Sequence, residues 1–121
     1  MQNKLTIEGR LPGLNEYTNI CRTNPYAANS MKQKNQEMIG WYIKKDKLSP
    51  VENYPCQIEI VWYEKNQKRD VDNIIFGQKF ILDALVKNGI LIDDSQKYIN
   101  EITHKISLDK EKPRIEVFLK C

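Results

Sequence analysis

The chain has 121 residues, 40% of them hydrophobic, enough for one core and a single domain over residues 1–121. With 19 basic and 16 acidic residues the net charge is +3, too small an excess to name a polyanionic partner by itself. Cys21, Cys56 and Cys121 show no CxxC spacing and His104 is the single histidine, which argues against a disulfide framework and a structural zinc site.

The opening MQNKLTIEGR has no apolar core of the kind a secretory leader needs, and no stretch reaches the length of a membrane span. A reducing, cytoplasmic setting is therefore expected. Residues 4–10 alternate Leu5 and Ile7 with polar neighbours, as a short strand does. Residues 11–30 are rich in Pro, Gly and Asn and read as a long irregular loop, with Asn29 or Ser30 placed to cap the next helix. The spacing of Met31, Met38, Trp41 and Tyr42 predicts that helix over 31–45, stopped by the Leu-Ser-Pro at 48–50.

Residues 56–64, CQIEIVWYE, form the clearest strand, with Ile58, Ile60 and Trp62 on one face. A single helix is predicted over 71–87. It carries two apolar stripes, one through Ile74, Leu82 and Leu85 and one through Phe76, Phe80 and Ala84, so it should be sandwiched between core layers or against a partner subunit. Asn88-Gly89 ends it. Residues 98–106 and 114–120 alternate as two further strands. The fold class is α+β, a single small domain with a mixed β-sheet packed with two helices.

Two acidic pairs stand out. Asp70 and Asp72 bracket Val71, and alternate residues of an extended segment point the same way. At a helix start, either is equally an N-cap. Asp93 and Asp94 open DDSQ, which is also an ordinary polar turn. A return of the chain along the 71–87 helix through residues 90–92 would bring DDSQ beside RDVD. Three or four converging carboxylates make a hard oxygen site suited to Mg²⁺ or Mn²⁺ rather than zinc. Such an ion can polarise a phosphodiester, activate water and stabilise the leaving 3′ oxygen. Lys79 is either a charge partner for that chemistry or a solvated lysine. No GxxxxGK loop points to a nucleotide cofactor, and no Ser–His or Cys–His pairing is legible.

Basic residues gather in two places. Lys65, Lys68 and Arg69 precede the first acidic pair, and Lys44, Lys45 and Lys47 form a second group. Both are either the footprint of a phosphate-backbone binder or a solvated surface.

The run KRDVDNIIFGQKFILDALVKNGILIDDSQ resembles the RusA family of Holliday-junction resolvases, small endodeoxyribonucleases borne by bacteria and phages. The matching parts, in order, are Arg69-Asp70-Val71-Asp72-Asn73, Lys79, Asp83-Ala84-Leu85, Gly89 and Asp93-Asp94-Ser95-Gln96, with Pro12 to Tyr17 resembling an early P-x-x-N-x-Y segment. The resemblance implies a RusA-like fold and a homodimer that cuts opposed strands of four-way junction DNA in recombination and repair, in a bacterial host cytoplasm and from a phage or prophage source. It implies Asp70, Asp72 and Asp94 as metal ligands with Asp93 as a helper, Mg²⁺ as cofactor with Mn²⁺ as substitute, and Lys79 as a catalytic lysine. Lys65, Lys68, Arg69 and Arg22 are the residues expected on DNA. Residues 10–30, with Arg10, Tyr17 and Tyr26, either join them or cover the core. Two other readings compete. A non-catalytic branched-DNA-binding module would not need four carboxylates, which repel phosphate without a metal. A DxD glycosyl- or nucleotidyltransferase would need a Gly-rich approach, and the five glycines here are not clustered.

Overall fold

The computed structural model describes residues 2–121. Its elements are β1 (Lys4–Glu8), α1 (Leu14–Thr23), α2 (Pro25–Lys45), β2 (Cys56–Glu64), α3 (Val71–Ile75), α4 (Gln78–Lys87), β3 (Ile99–Leu108) and β4 (Arg114–Lys120). The strands form one mixed sheet in the order β1-β4-β2-β3. β4 lies antiparallel between β1 and β2, while β3 runs parallel to β2 at the sheet edge. A parallel neighbour requires a long crossover, and α3 with α4 supplies it. The fold is thus α+β with a mixed sheet, as the sequence implies, but four helical segments accompany the sheet rather than two.

The period-two alternation of the strands explains the layering. One row across the sheet runs Leu5, Val117, Ile60, His104, and its first three members are fully buried. Ile58, Trp62, Ile115 and Leu119 flank that row in the same core, joined by Ile39 and Ile43 of α2 and by Phe80, Ile81 and Leu85 of α4. Full burial of each such side chain contributes about 1.5–3 kcal/mol. The opposite face is polar and crossed by ion pairs. Glu59 meets Lys105 at 3.1 Å and Lys120 at 3.4 Å, and the Lys105 ammonium, then Lys120, holds its carboxyl below the usual carboxylate range. Arg114 covers the Tyr63 ring at 3.8 Å.

Three expectations are revised. Residues 11–30 are not a loop: they hold α1 and the first turn of α2. The helix starts at Pro25, capped by Asn24, whose Oδ1 accepts from the N–H groups of Tyr26 and Ala27 at 3.1 and 3.2 Å, so the cap is not Asn29 or Ser30. Asn-Pro reads as a turn, yet proline with its fixed φ is well suited to the first helical position. The single helix over 71–87 is two, broken at Phe76-Gly77. A Cβ at Gly77 would stand 3.1 Å from the Trp62 ring and 3.2 Å from Leu11 Cβ, so the glycine lets the chain close onto the indole. Finally, a disulfide joins Cys56 to Cys121, against the expectation of no such framework. The β2–β4 register, which sets Gln57 opposite Lys120, brings these flanking residues to a Cα separation of 4.6 Å.

The two apolar stripes of the crossover have the inner of the two partners expected. Phe76 and Phe80 meet Tyr17 of α1 at ring-centroid distances of 5.2 and 6.1 Å. Ile81 and Leu85 are fully buried in the cluster that holds the strand residues. α4 is therefore sandwiched within the chain itself.

Candidate active site

The chain leaves β2 at Glu64 and turns through residues 65–69 to reach Asp70. This turn is held by Arg69. Its Nε donates to Glu64 Oε1 at 2.9 Å, its Nη2 to Oε2 at 2.8 Å, and its Nη1 to the Leu11 carbonyl at 3.2 Å. The two side chains are only 14% and 11% exposed. A bidentate, nearly buried fork of this kind fixes geometry rather than offering charge to a ligand. Arg69 is thus part of a clamp that sets where Asp70 stands, and it also borders the hollow that Lys65 and Lys68 line. Glu64 was missed at the sequence level, although it shares the parity of Ile58, Ile60 and Trp62 and so falls on the buried face of β2.

Asp70 occupies the N-cap position of α3 with extended backbone, but its carboxylate makes no capping bond. Asp72 Oδ1 accepts the N–H of Asn73 at 3.0 Å. Asn73 Oδ1 in turn accepts the N–H of Asn15 at 3.0 Å, tying the RDVDN segment to the start of α1. That contact requires Gly13, since a Cβ there would overlap the Asn73 side chain. Both aspartates are exposed, and neither forms an ion pair among the described residues.

The second acidic pair sits elsewhere. After α4, Gly89 takes a φ of +74°, which glycine adopts without strain, and the chain enters the 90–98 segment. Ile90 and Leu91 are buried. Val51 N–H donates to the Ile90 carbonyl at 2.9 Å, Ile92 N–H to Tyr54 Oη at 3.1 Å, and Cys56 N–H to the Tyr98 carbonyl at 2.7 Å. Tyr98 and Ile99 both donate to the Ser95 carbonyl, closing the turn that carries the exposed Asp93 and Asp94. The turn is held by the end of α4, where Ile90 and Leu91 donate to the Leu85 carbonyl, and by residues leading into β2, where Cys56 faces Ile99.

Asp70 and Asp72 follow the other end of β2, where Glu64 faces Leu108. At about 3.3 Å per residue the strand separates the two ends by roughly 25–30 Å. The chain does return toward Asp70, but through β3, after DDSQ rather than before it. Asp93 and Asp94 therefore do not meet Asp70 and Asp72 within one chain. Among the described residues no group of three His, Cys, Asp or Glu is placed to hold a metal ion. Each pair taken alone is a hard-oxygen donor set, right in chemistry for Mg²⁺ and short in number.

The remaining expected residues divide by position. Lys79 is exposed in the first turn of α4. Lys65 and Lys68 are exposed and line, with Arg10, Asn66 and Pro113, a hollow of about 470 Å³ at the Asp70 end of the sheet. Arg10 is paired with Glu16 at 3.0 Å. Arg22 is exposed in the last turn of α1. The lone histidine is structural: Trp62 Nε1 donates to His104 Nδ1 at 3.0 Å, and His104 Nε2 meets Gln78 Oε1 at 2.8 Å.

No helix among the described residues is long and apolar enough to cross a membrane. No curated protein matches the chain. The sequence model of the endodeoxyribonuclease RusA family matches residues 15–120, a span that takes in both acidic pairs, Lys79 and all of the sheet but β1. The chain belongs to the RusA endodeoxyribonuclease family.

Proposed function

We propose that this protein is a divalent-metal-dependent endonuclease that resolves four-way DNA junctions, working as a homodimer. The observation that carries the reading is a pair of exposed aspartates without cation partners, held by a buried Arg69–Glu64 clamp, in a chain of an endodeoxyribonuclease family. Four bare carboxylates on a DNA enzyme repel their own substrate unless a cation intervenes.

The ligand set we assign is Asp70, Asp72 and Asp94, with Asp93 beside them. Because the two pairs lie at opposite ends of the sheet, a second copy is the source that completes each site. β3 is an edge strand, paired on one side only among the described residues, with Ile106 40% and Leu108 51% exposed. Val71, between the first two aspartates, is 60% exposed, and Ile92, just before the second pair, is 63% exposed. Two β3 edges set antiparallel would place Asp93 and Asp94 of one copy near Asp70 and Asp72 of the other. The two-fold axis would generate the second site. Paired sites suit paired nicks.

Bound there, Mg²⁺ or Mn²⁺ supplies charge stabilisation at the phosphodiester and an acidified water. The chain's own residues do the rest. Arg69 and Glu64 fix the Asp70 backbone, Asn73 fixes the Asp72 end against α1, and Lys65 and Lys68 offer ammonium groups to the flanking phosphates. Lys79 is assigned to the charge that develops on the scissile phosphate.

The test is cleavage of a synthetic four-way junction beside linear duplex of the same sequence, with Mg²⁺, Mn²⁺ or EDTA, for wild type and Asp72→Asn. Paired nicks on the junction that need metal and are lost in the variant, with binding retained, are the expected result. Binding without cutting in either metal would leave a branched-DNA-binding module instead. Equal cutting of duplex and junction would remove the junction from the proposal.

A further inference from the structure

Neither acidic pair accounts for the surface around Trp41. Trp41 is 59% exposed on α2, whereas the chain's other tryptophan, Trp62, is 1% exposed. Its ring stands edge-on to Tyr42 at 5.0 Å, and the Lys45 ammonium lies 5.3 Å from its centroid. Beside it opens a cleft of about 350 Å³ lined by Trp41, Gly40, Gln36, Glu37, Lys44, Lys87 and Asn88. This is within the range of about 300–1,000 Å³ usual for small-ligand sites.

A Cβ at Gly40 would stand 3.1 Å from the Asn88 amide nitrogen, so the glycine lets α2 approach Asn88 closely. The Asn88 amide donates to the Ala84 carbonyl at 2.8 Å and the Gln36 amide to Asp83 Oδ2 at 3.2 Å. Both amide oxygens are left as acceptors. Among the lining residues Lys44 and Lys87 outnumber Glu37, and the nearby Asp83 carboxylate is engaged by Gln36 and Lys32. An indole wall with surrounding ammonium groups matches an aromatic ring carried on a polyanionic strand, and the amide acceptors suit a ring or exocyclic N–H of the base, the N3–H of thymine included.

We infer that the Trp41 cleft is a stacking site for an unpaired nucleobase, with Lys44 and Lys87 on the phosphates that flank it. The inference rests on the reading of junction DNA as substrate and adds that a base freed from pairing where the four arms meet is held here. Bases within a duplex cannot present a face to an indole, whereas unpaired bases stack on aromatic side chains whatever their sequence. Lys87 closes α4 and leads through Gly89 into the 90–98 segment, so the cleft lies at the Asp93–Asp94 end of the molecule.

The full chain is titrated in EDTA with oligo-dT, duplex of equal length and a four-way junction, following tryptophan emission and the anisotropy of a labelled strand. Trp62 is buried and hydrogen-bonded, so quenching reports Trp41. Quenching by oligo-dT and by the junction, with little by duplex, is expected. Trp41→Ala should weaken oligo-dT binding roughly ten-fold, and Trp41→Phe should keep most of it. Lys44→Ala with Lys87→Ala should lower the slope of affinity against salt. Junction binding with silent Trp41 emission, or unchanged affinity in Trp41→Ala, overturns the stacking site and leaves the nuclease reading intact. Conversion of a dimer to a monomer by Trp41→Ala in sedimentation would assign the patch to a second copy instead. Failure to bind any of the three DNAs both here and with Asp72→Asn in Mg²⁺, where binding without cutting is expected, would overturn both.

Discussion

Trp62 donates its indole N–H to Nδ1 of His104 at 3.0 Å, which obliges that nitrogen to be the acceptor and puts the ring proton on Nε2, facing Gln78 Oε1 at 2.8 Å. Protonating Nδ1 would set two N–H groups against each other. Burial already pushes the His104 pKa below its ordinary value, because it disfavours the charged ring. A base whose folded pKa is depressed contributes stability in full above its unfolded pKa and loses it as pH falls through the folded value. The melting temperature should therefore drop from pH 7.5 toward pH 5. His104→Asn keeps an acceptor near the indole but cannot titrate, so its curve should be flatter over that window. Thermal unfolding of both proteins in matched buffers checks this. Parallel curves would mean the ring is not neutral in the fold.

Arg69 carries a different consequence. Removing one member of a nearly buried ion pair leaves the other uncompensated, at a cost of about 3–5 kcal/mol. Arg69→Ala should lose that much in urea unfolding and should lose junction nicking even at low temperature, where it is still folded. Arg69→Lys cannot reproduce the two-pronged contact with Glu64 and should recover only part. Full stability in Arg69→Ala would show that the guanidinium faces solvent.

Tyr54 acts on the second acidic pair without touching it. Its hydroxyl accepts the Ile92 N–H at 3.1 Å, and its ring packs edge-on to Tyr98 at 5.2 Å. Tyr54→Phe keeps the packing and removes the acceptor. The stability change should be modest, about 0.5–1.5 kcal/mol. The Mg²⁺ concentration that half-activates nicking should rise several-fold, with the rate at saturating metal largely kept. A fall in the saturated rate with no change in metal requirement would sink this role.

The two-copy site makes a prediction by mixing. Asp72→Asn and Asp94→Asn should each be inactive as pure proteins. In a mixed dimer one site collects both defects and the other collects none, so about half of the dimers after random exchange should carry one working site. Single nicks should reappear on junction DNA. If each site were built within one chain, every site of the mixed dimer would carry one defect and nothing would return.

Much of this was legible from the residues. The alternation of Ile58, Ile60 and Trp62 identified β2, and the two acidic pairs with Lys79 marked the motif. α1 was not legible because its ten residues lie in a Pro-, Gly- and Asn-rich stretch that reads as a loop and none of them is fully buried, although Leu14, Tyr17 and Cys21 recur at helical spacing. The Phe76-Gly77 break depends on Trp62, a residue distant in sequence. The distance between the acidic pairs is set by the parallel pairing of β2 with β3, a non-local choice that no local spacing encodes. The Cys56–Cys121 disulfide follows from register in the same way. Arg69 and Lys68 read alike as basic residues, and only the inward parity of Glu64 distinguishes them.

The parallel course of β3 beside β2 also bears on when the enzyme is dangerous to the cell that makes it. Under the two-copy arrangement, a newly made chain carries every catalytic group and can cut nothing. Below the dimer dissociation constant the number of working sites falls with the square of protein concentration. A nuclease built this way is held silent by dilution alone, with no inhibitor, until enough copies accumulate for two to meet on a junction.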